Sequence, residues 1–164
     1  MRSRGSKKAN TKNCIEAKEV KILVLNGPNL NLLGKREPAI YGSRTYSDLE
    51  IFIKKTALEA GVEVEILQSN HEGVLIDRIQ SAPGSFDALI VNAAAYTHTS
   101  VAMHDALKAI DLPVVEVHLT DPQTREEFRR FSYIKPVAAA TFAGFGFESY
   151  AKAIRFLSES TKSV

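Results

Sequence analysis

Apolar residues in this chain fall into short runs separated by stretches with helical spacing. KILVLN (21–26) is a continuous apolar run that ends in Asn, the pattern of a strand buried on both faces. VEVEILQ (62–68) alternates apolar and polar positions, which predicts a strand with one wetter face, nearer a sheet edge. DALIVN (87–92), PVVEVHL (113–119) and VAAATFAG (137–144) complete five predicted strands. Ser47 and Glu50 have capping-box spacing and predict a helix through Ala60, stopped at Gly61. Ser69 and Glu72 repeat that spacing ahead of EGVLIDRIQSA, with Pro83-Gly84 as the stop. Further helices are predicted from Thr99 to Ile110, from Asp121-Pro122 through TREEFRRF, and over ESYAKAIRFLSES. Strands alternating with helices imply a parallel sheet covered on both sides. The expected fold is a flavodoxin-like doubly wound five-stranded parallel sheet with helices on both faces. One connection breaks the rhythm: about 20 residues follow the first strand, a length that often marks a functional lid.

Composition narrows this picture. The 164 residues, 45% hydrophobic and 24% charged, suit a soluble domain, expected to span 21–164. No apolar run approaches the roughly 18–20 residues needed to cross a bilayer. The single Cys14 excludes an intramolecular disulfide and a cysteine-based metal knuckle, and it suits the reducing cytoplasm where we expect this chain. Charge is uneven: residues 1–21 hold seven Lys/Arg against two acids, or +5, so the rest carries −3 of the net +2. Residues 1–20 read as a disordered basic leader without the apolar stretch of a secretory signal. A nucleic-acid or membrane-surface arm lacks support because no aromatics interleave its charges, and its Arg content is thin for an organelle presequence.

Candidate chemistry concentrates in NAAAYTHTSVAMHDAL (92–107) and EVHLT (116–120), where polar groups stand at the carboxyl ends of predicted strands, the usual ligand crevice of such sheets. His118 ends the fourth strand, with Glu116 on the same face two residues earlier. A carboxylate beside an imidazole fixes its tautomer and favours a proton donor, although a buried histidine bonded only to backbone has the same pattern. His98, among Thr97, Thr99 and Ser100, is either a helix cap or a partner for a hydroxylated ligand; His71 and His104 read as surface residues. On the lid, Tyr41 follows Lys35-Arg36-Glu37. A neighbouring guanidinium can stabilise a phenolate and make it a usable base, while a half-buried packing tyrosine is the plainer alternative. Arg125 and Arg129, four apart, either pair with Glu126 and Glu127 or bind a carboxylate bidentately. The histidine spacings match no standard metal site, and neither a Gly-x-Ser-x-Gly elbow nor a Walker loop is present. Together these groups suit a small carboxylate-bearing polyol and proton abstraction beside a carbonyl followed by elimination. The competing reading is a flavin- or nucleotide-holding module, for which the first loop lacks a phosphate cradle.

The blocks NGPNLNLLGKREPAIYG (26–42), QSNHEG (68–73), NAAAYTHTSVAMHDAL, EVHLT and REEFRRFSY (125–133) closely resemble the type II 3-dehydroquinate dehydratases, over about residues 21–158. The resemblance implies dehydration of 3-dehydroquinate to 3-dehydroshikimate through an enolate, in the shikimate or quinate pathway, without metal, cofactor or Schiff base. It assigns Tyr41 as the base, Arg36 as the group favouring the phenolate, and Asn29 as the holder of a water at the enolate. His118 would be the general acid, oriented by Glu116. Asn92, His98, Leu119, Thr120 and Arg129 match substrate contacts, Arg125 a lid-side partner, and Asp105 a residue contributed across a trimer interface. The implied assembly is a homododecamer of four trimers, with no nucleic-acid or membrane partner. Ala93 and Ala94 depart from the family's usual Pro-Gly or Pro-Ala, Thr120 replaces its Ser, and Asp121 and Gln123 stand where Asn and an aromatic or His are common.

Overall fold

The computed structural model describes residues 19–35 and 43–161. Strands β1 (Lys21–Asn26), β2 (Glu63–Gln68), β3 (Ala88–Asn92), β4 (Val114–His118) and β5 (Ala140–Ala143) form one parallel sheet in the order β2-β1-β3-β4-β5. Helices α1 (Tyr46–Ala60), α2 (Glu72–Gln80), α3 (Val101–Ala109) and α4 (Glu148–Ser160) cover it. The flavodoxin-like architecture is therefore as expected, with β2 at an edge and only half buried.

The strand alternation sorts the core into two layers. Ile22, Val24, Ile90, Val115 and Val117 face α1 and α4, while Leu23, Leu25, Leu89 and Val91 face α2 and α3. Each fully buried aliphatic side chain contributes about 1.5–3 kcal/mol, so the central strands anchor the sheet. The direction in which successive strands are added to the sheet reverses between β1 and β3, which run parallel, and there Asn26 pairs in register with Asn92. A crevice opens beyond such a switch point.

Several predicted boundaries move. The α1 capping box is Thr45 with Asp48, not Ser47 with Glu50. Thr45 is extended, its hydroxyl accepts from the Asp48 N–H, and the Asp48 carboxylate accepts from the Thr45 N–H at 2.7 Å. Ser69 likewise does not cap α2; its hydroxyl accepts from the His71 N–H at 3.0 Å, and His71 holds the N-cap position without a side-chain bond. A 3-10 turn, Ala94–His98, precedes α3, which starts after Ser100 because the Ser100 hydroxyl accepts from the Met103 N–H. The helix expected after Asp121 is two 3-10 turns, Pro122–Thr124 and Glu127–Arg129. The Asp121 carboxylate does take the Gln123 N–H at 2.9 Å, but Arg125 then leaves helical geometry with ψ −173.

Candidate active site

The ends of β1, β3 and β4 come together because nothing intrudes between them. The Gly27 N–H donates to the Asn92 carbonyl at 2.8 Å, and a Cβ on Gly27 would stand 2.3 Å from the Ala93 carbonyl oxygen. Glycine is therefore required at this contact. Asn29 adopts a left-handed conformation (φ 66), which its short polar side chain tolerates, and its N–H donates to Asn70 Oδ1 at 3.0 Å.

Beyond these ends lies a cavity of about 310 Å³. Asn29, Asn92, His98, His118, Leu119, Thr120, Arg125 and Arg129 line it, with Pro28, Leu30, Leu33, Ala94, Ala95 and Pro122 as the other wall residues. Eight of the predicted site residues thus share one space. Glu116 sits behind His118. Asp105 is exposed on α3, away from the cavity lining. Arg36 and Tyr41 lie outside the described residues, as do all but Glu19 and Val20 of the expected leader.

His118 and Glu116 form a dyad. Glu116 is 1% exposed and accepts from His118 Nε2 at 2.9 Å, from the Ser132 hydroxyl at 2.6 Å and from the Thr141 hydroxyl at 3.1 Å. Burial pushes its carboxyl upward, but His118 first, then Ser132 and Thr141, outweigh burial and hold it below the usual carboxylate range. An ionised carboxylate only accepts, so Nε2 carries the hydrogen and Nδ1 is left for another partner.

His98 is built differently. Its Nδ1 lies 2.7 Å from the Phe131 carbonyl, which can only accept, so Nδ1 donates. Burial, above all, lowers the pKa of this imidazole, and His118 and Arg129 add to the effect against the bond to Phe131. A neutral ring with Nδ1 donating leaves Nε2 as an acceptor, suited to a hydroxyl. The His98 and His118 rings lie nearly parallel, 6.5 Å apart.

The segment after β4 carries the arginines without a helix. Glu126, the exposed end of both pairs, bridges them, 3.4 Å from Arg125 Nε and 3.0 Å from Arg129 Nε, and ion pairs with one end in solvent add little stability. Their value is placement, since both side chains are mostly covered and reach the cavity. Gln123 braces the segment through the Arg130 carbonyl at 2.9 Å. The Tyr133 N–H to the Thr97 carbonyl and His104 Nδ1 to the Tyr133 carbonyl, both at 2.8 Å, dock it on the 94–104 region. His104 is accordingly half-buried rather than a surface residue.

Four residues of this architecture escaped the sequence reading. Ser132 and Thr141 hold Glu116, and no local motif announces either. Asn26 and Tyr150 lie beneath Asn92: Asn92 Nδ2 donates to the Tyr150 hydroxyl at 2.8 Å, which donates to Asn26 Oδ1 at 2.7 Å. Asn26 had one available signal, a polar residue ending a buried strand as Asn92 does. Among the described residues no lysine lines the cavity, and no group of three or more metal-ligating side chains occurs.

Comparison with known proteins agrees with the fold. Residues 20–158 match the family Dehydroquinase class II. The chain is 54% identical to a 3-dehydroquinate dehydratase of Geotalea daltonii over 83% of its own length and 94% of that protein. It is 52% identical to a catabolic 3-dehydroquinase 2 of Aspergillus flavus, over 85% and 93%. The crystal structure of a type II dehydroquinase from Butyrivibrio crossotus superimposes with a TM-score of 0.83 at 44% identity, covering 85% of this chain and 97% of that one.

Proposed function

The chain belongs to the class II dehydroquinase family, hydro-lyases acting on 3-dehydroquinate, and from that premise we propose how its residues carry the reaction. Tyr41 removes the proton alpha to the ketone, aided by Arg36, and the electron pair moves onto the carbonyl oxygen as an enolate. These two assignments rest on the family resemblance alone. Asn29 holds a water against that oxygen, because a developing oxyanion needs donors already in position. The enolate then collapses, the bond to the departing hydroxyl breaks, and His118, entering the step as an imidazolium with Nε2–H on Glu116, gives its Nδ1 proton to that hydroxyl, which leaves as water while the ring becomes neutral. The observation that carries this reading is the His118–Glu116 dyad in the cavity wall, with Nε2 held by an ionised carboxylate and Nδ1 left for the leaving group.

Substrate binding follows from the cavity lining. Neutral His98 accepts from a substrate hydroxyl through Nε2, Asn92 and Thr120 supply further polar contacts, and Arg129 meets the carboxylate, with Arg125 beside it. Asp105, exposed on α3, serves a neighbouring copy in a trimer, and the assembly is a dodecamer of four trimers in the cytoplasm. One relative is named only for the dehydration and another as a catabolic 3-dehydroquinase, and the reaction serves aromatic biosynthesis or quinate breakdown.

The test is an ultraviolet assay that follows the conjugated enone of 3-dehydroshikimate, with and without borohydride pretreatment. Activity that survives borohydride is expected. Borohydride-sensitive activity would overturn the enolate route in favour of an imine on lysine, and a folded protein without activity would overturn the substrate assignment.

A further inference from the structure

A chain of buried hydrogen bonds runs beneath the cavity and ends on Asn92. Its direction follows from one unambiguous donor. The Ala94 N–H meets Asn92 Oδ1 at 3.3 Å, so the other end of that amide is Nδ2, which donates to the Tyr150 hydroxyl at 2.8 Å. The Tyr150 hydrogen therefore points away from Asn92, to Asn26 Oδ1 at 2.7 Å, and Asn26 Nδ2 donates on to the Tyr46 hydroxyl at 3.2 Å. Asn26 and Asn92 are register partners on adjacent strands with both amides turned toward α4, and Tyr150, with no exposed surface, bridges them.

A buried amide with one hydrogen committed in this way has its orientation fixed. A flipped Asn92 would set its Nδ2 against the Ala94 N–H, and its oxygen could be met by the Tyr150 hydroxyl only if that hydroxyl gave up Asn26 Oδ1. Burial raises the Tyr150 pKa, so the phenol stays protonated and the relay keeps its polarity at any physiological pH.

We propose that Tyr150 is a positioning residue for the reaction, holding the Asn92 amide through the Asn26–Tyr150–Asn92 relay so that a fixed donor–acceptor pattern faces the substrate. The inference rests on the assignment of Asn92 as a substrate contact. Tyr150 itself touches no substrate; it acts through Asn92.

The experiment compares Tyr150→Phe, Asn92→Ala and the double variant in steady-state dehydration of 3-dehydroquinate. A lost buried hydrogen bond corresponds to about a 10-fold effect. Tyr150→Phe alone is expected to lower kcat/KM about 10-fold. In the Asn92→Ala background it is expected to have less than about a twofold further effect, because the amide it positions is gone. An equal loss in both backgrounds, or no loss in either, overturns the proposal in favour of a packing role. Should Tyr150→Phe fail to fold, Asn26→Ala breaks the same relay one bond further away and is read by the same cycle. A readout independent of turnover is the Asn92 side-chain amide signal in an ¹⁵N-labelled sample, identified by its loss in Asn92→Ala. It is expected to shift in Tyr150→Phe, and an unmoved signal overturns the relay even if the substrate assignment itself has failed.

Discussion

Glu116 meets His118 Nε2 at 2.9 Å from a position almost sealed from solvent, and two hydroxyls, from Ser132 and Thr141, complete its hydrogen bonding. Replacing its charge with an amide keeps the shape of the site and removes the ionised acceptor. Hydrogen bonds to charged groups contribute about 1.5–3 kcal/mol, so Glu116→Gln is expected to lower kcat about 10- to 100-fold at neutral pH. The enone assay at saturating substrate measures this, with circular dichroism as the control for folding.

The same carboxylate ties stability to pH. Its native pKa lies below its unfolded value, so its contribution is complete above the ordinary carboxylate range near about 4.3. That contribution is lost as pH falls through the depressed native value. Urea unfolding of Glu116→Gln is therefore expected to lose less stability between neutral and acid pH than the wild type does. Parallel pH profiles would contradict this.

Removing the proton donor is the more severe change. General acid catalysis supplies about 10²–10⁴-fold, and His118→Ala is expected to lose turnover in that range. Tyr41→Phe is expected to abolish turnover while substrate-analogue binding survives, and near-wild-type activity in that variant would remove Tyr41 from its role.

His98 offers a pH signature of its own. Because its pKa is lowered, the acceptor Nε2 is fully available above the ordinary imidazole value near about 6.5 and disappears only as pH falls through the depressed native value. KM is expected to be flat above neutrality and to rise on the acid side. The rise should be missing in His98→Ala, whose KM is high throughout.

Ala94 carries backbone strain. Its φ of 51 is left-handed, which costs an L-residue about 1–2 kcal/mol, partly offset in any glycine substitution by lost chain entropy of about 0.5–1 kcal/mol. Ala94→Gly is expected to raise stability by about 0.5–1 kcal/mol, or about 2 °C in Tm for a domain of this size. Scanning calorimetry tests it.

What could be read in the chain depended on whether a residue's role was local. Strand runs such as KILVLN and DALIVN need only their own pattern, and both form the strands expected within a residue. His118 with Glu116 was legible for the same reason, since period two places them on one face. Capping depended on competition among nearby hydroxyls: Thr45 and Asp48 satisfy the rule better than Ser47 and Glu50 because Thr45 is the residue in extended conformation. The arginine segment misled because Arg125 and Arg129 have helical spacing, yet Asp121-Pro122 starts only a single tight turn. Tyr150 was invisible because its partners lie 58 and 124 residues away in the chain, and on its own helix it looks like one more core aromatic.

Gly27 separates two kinds of requirement that a family alignment would record identically. Any side chain there collides with the Ala93 backbone whether or not a substrate is ever turned over. A descendant of this fold that lost its chemistry would be free to drift at His118 and Glu116 but would still have to keep that glycine. Its presence in a distant relative is therefore a fossil of architecture, and only the imidazole–carboxylate pair testifies to a living enzyme.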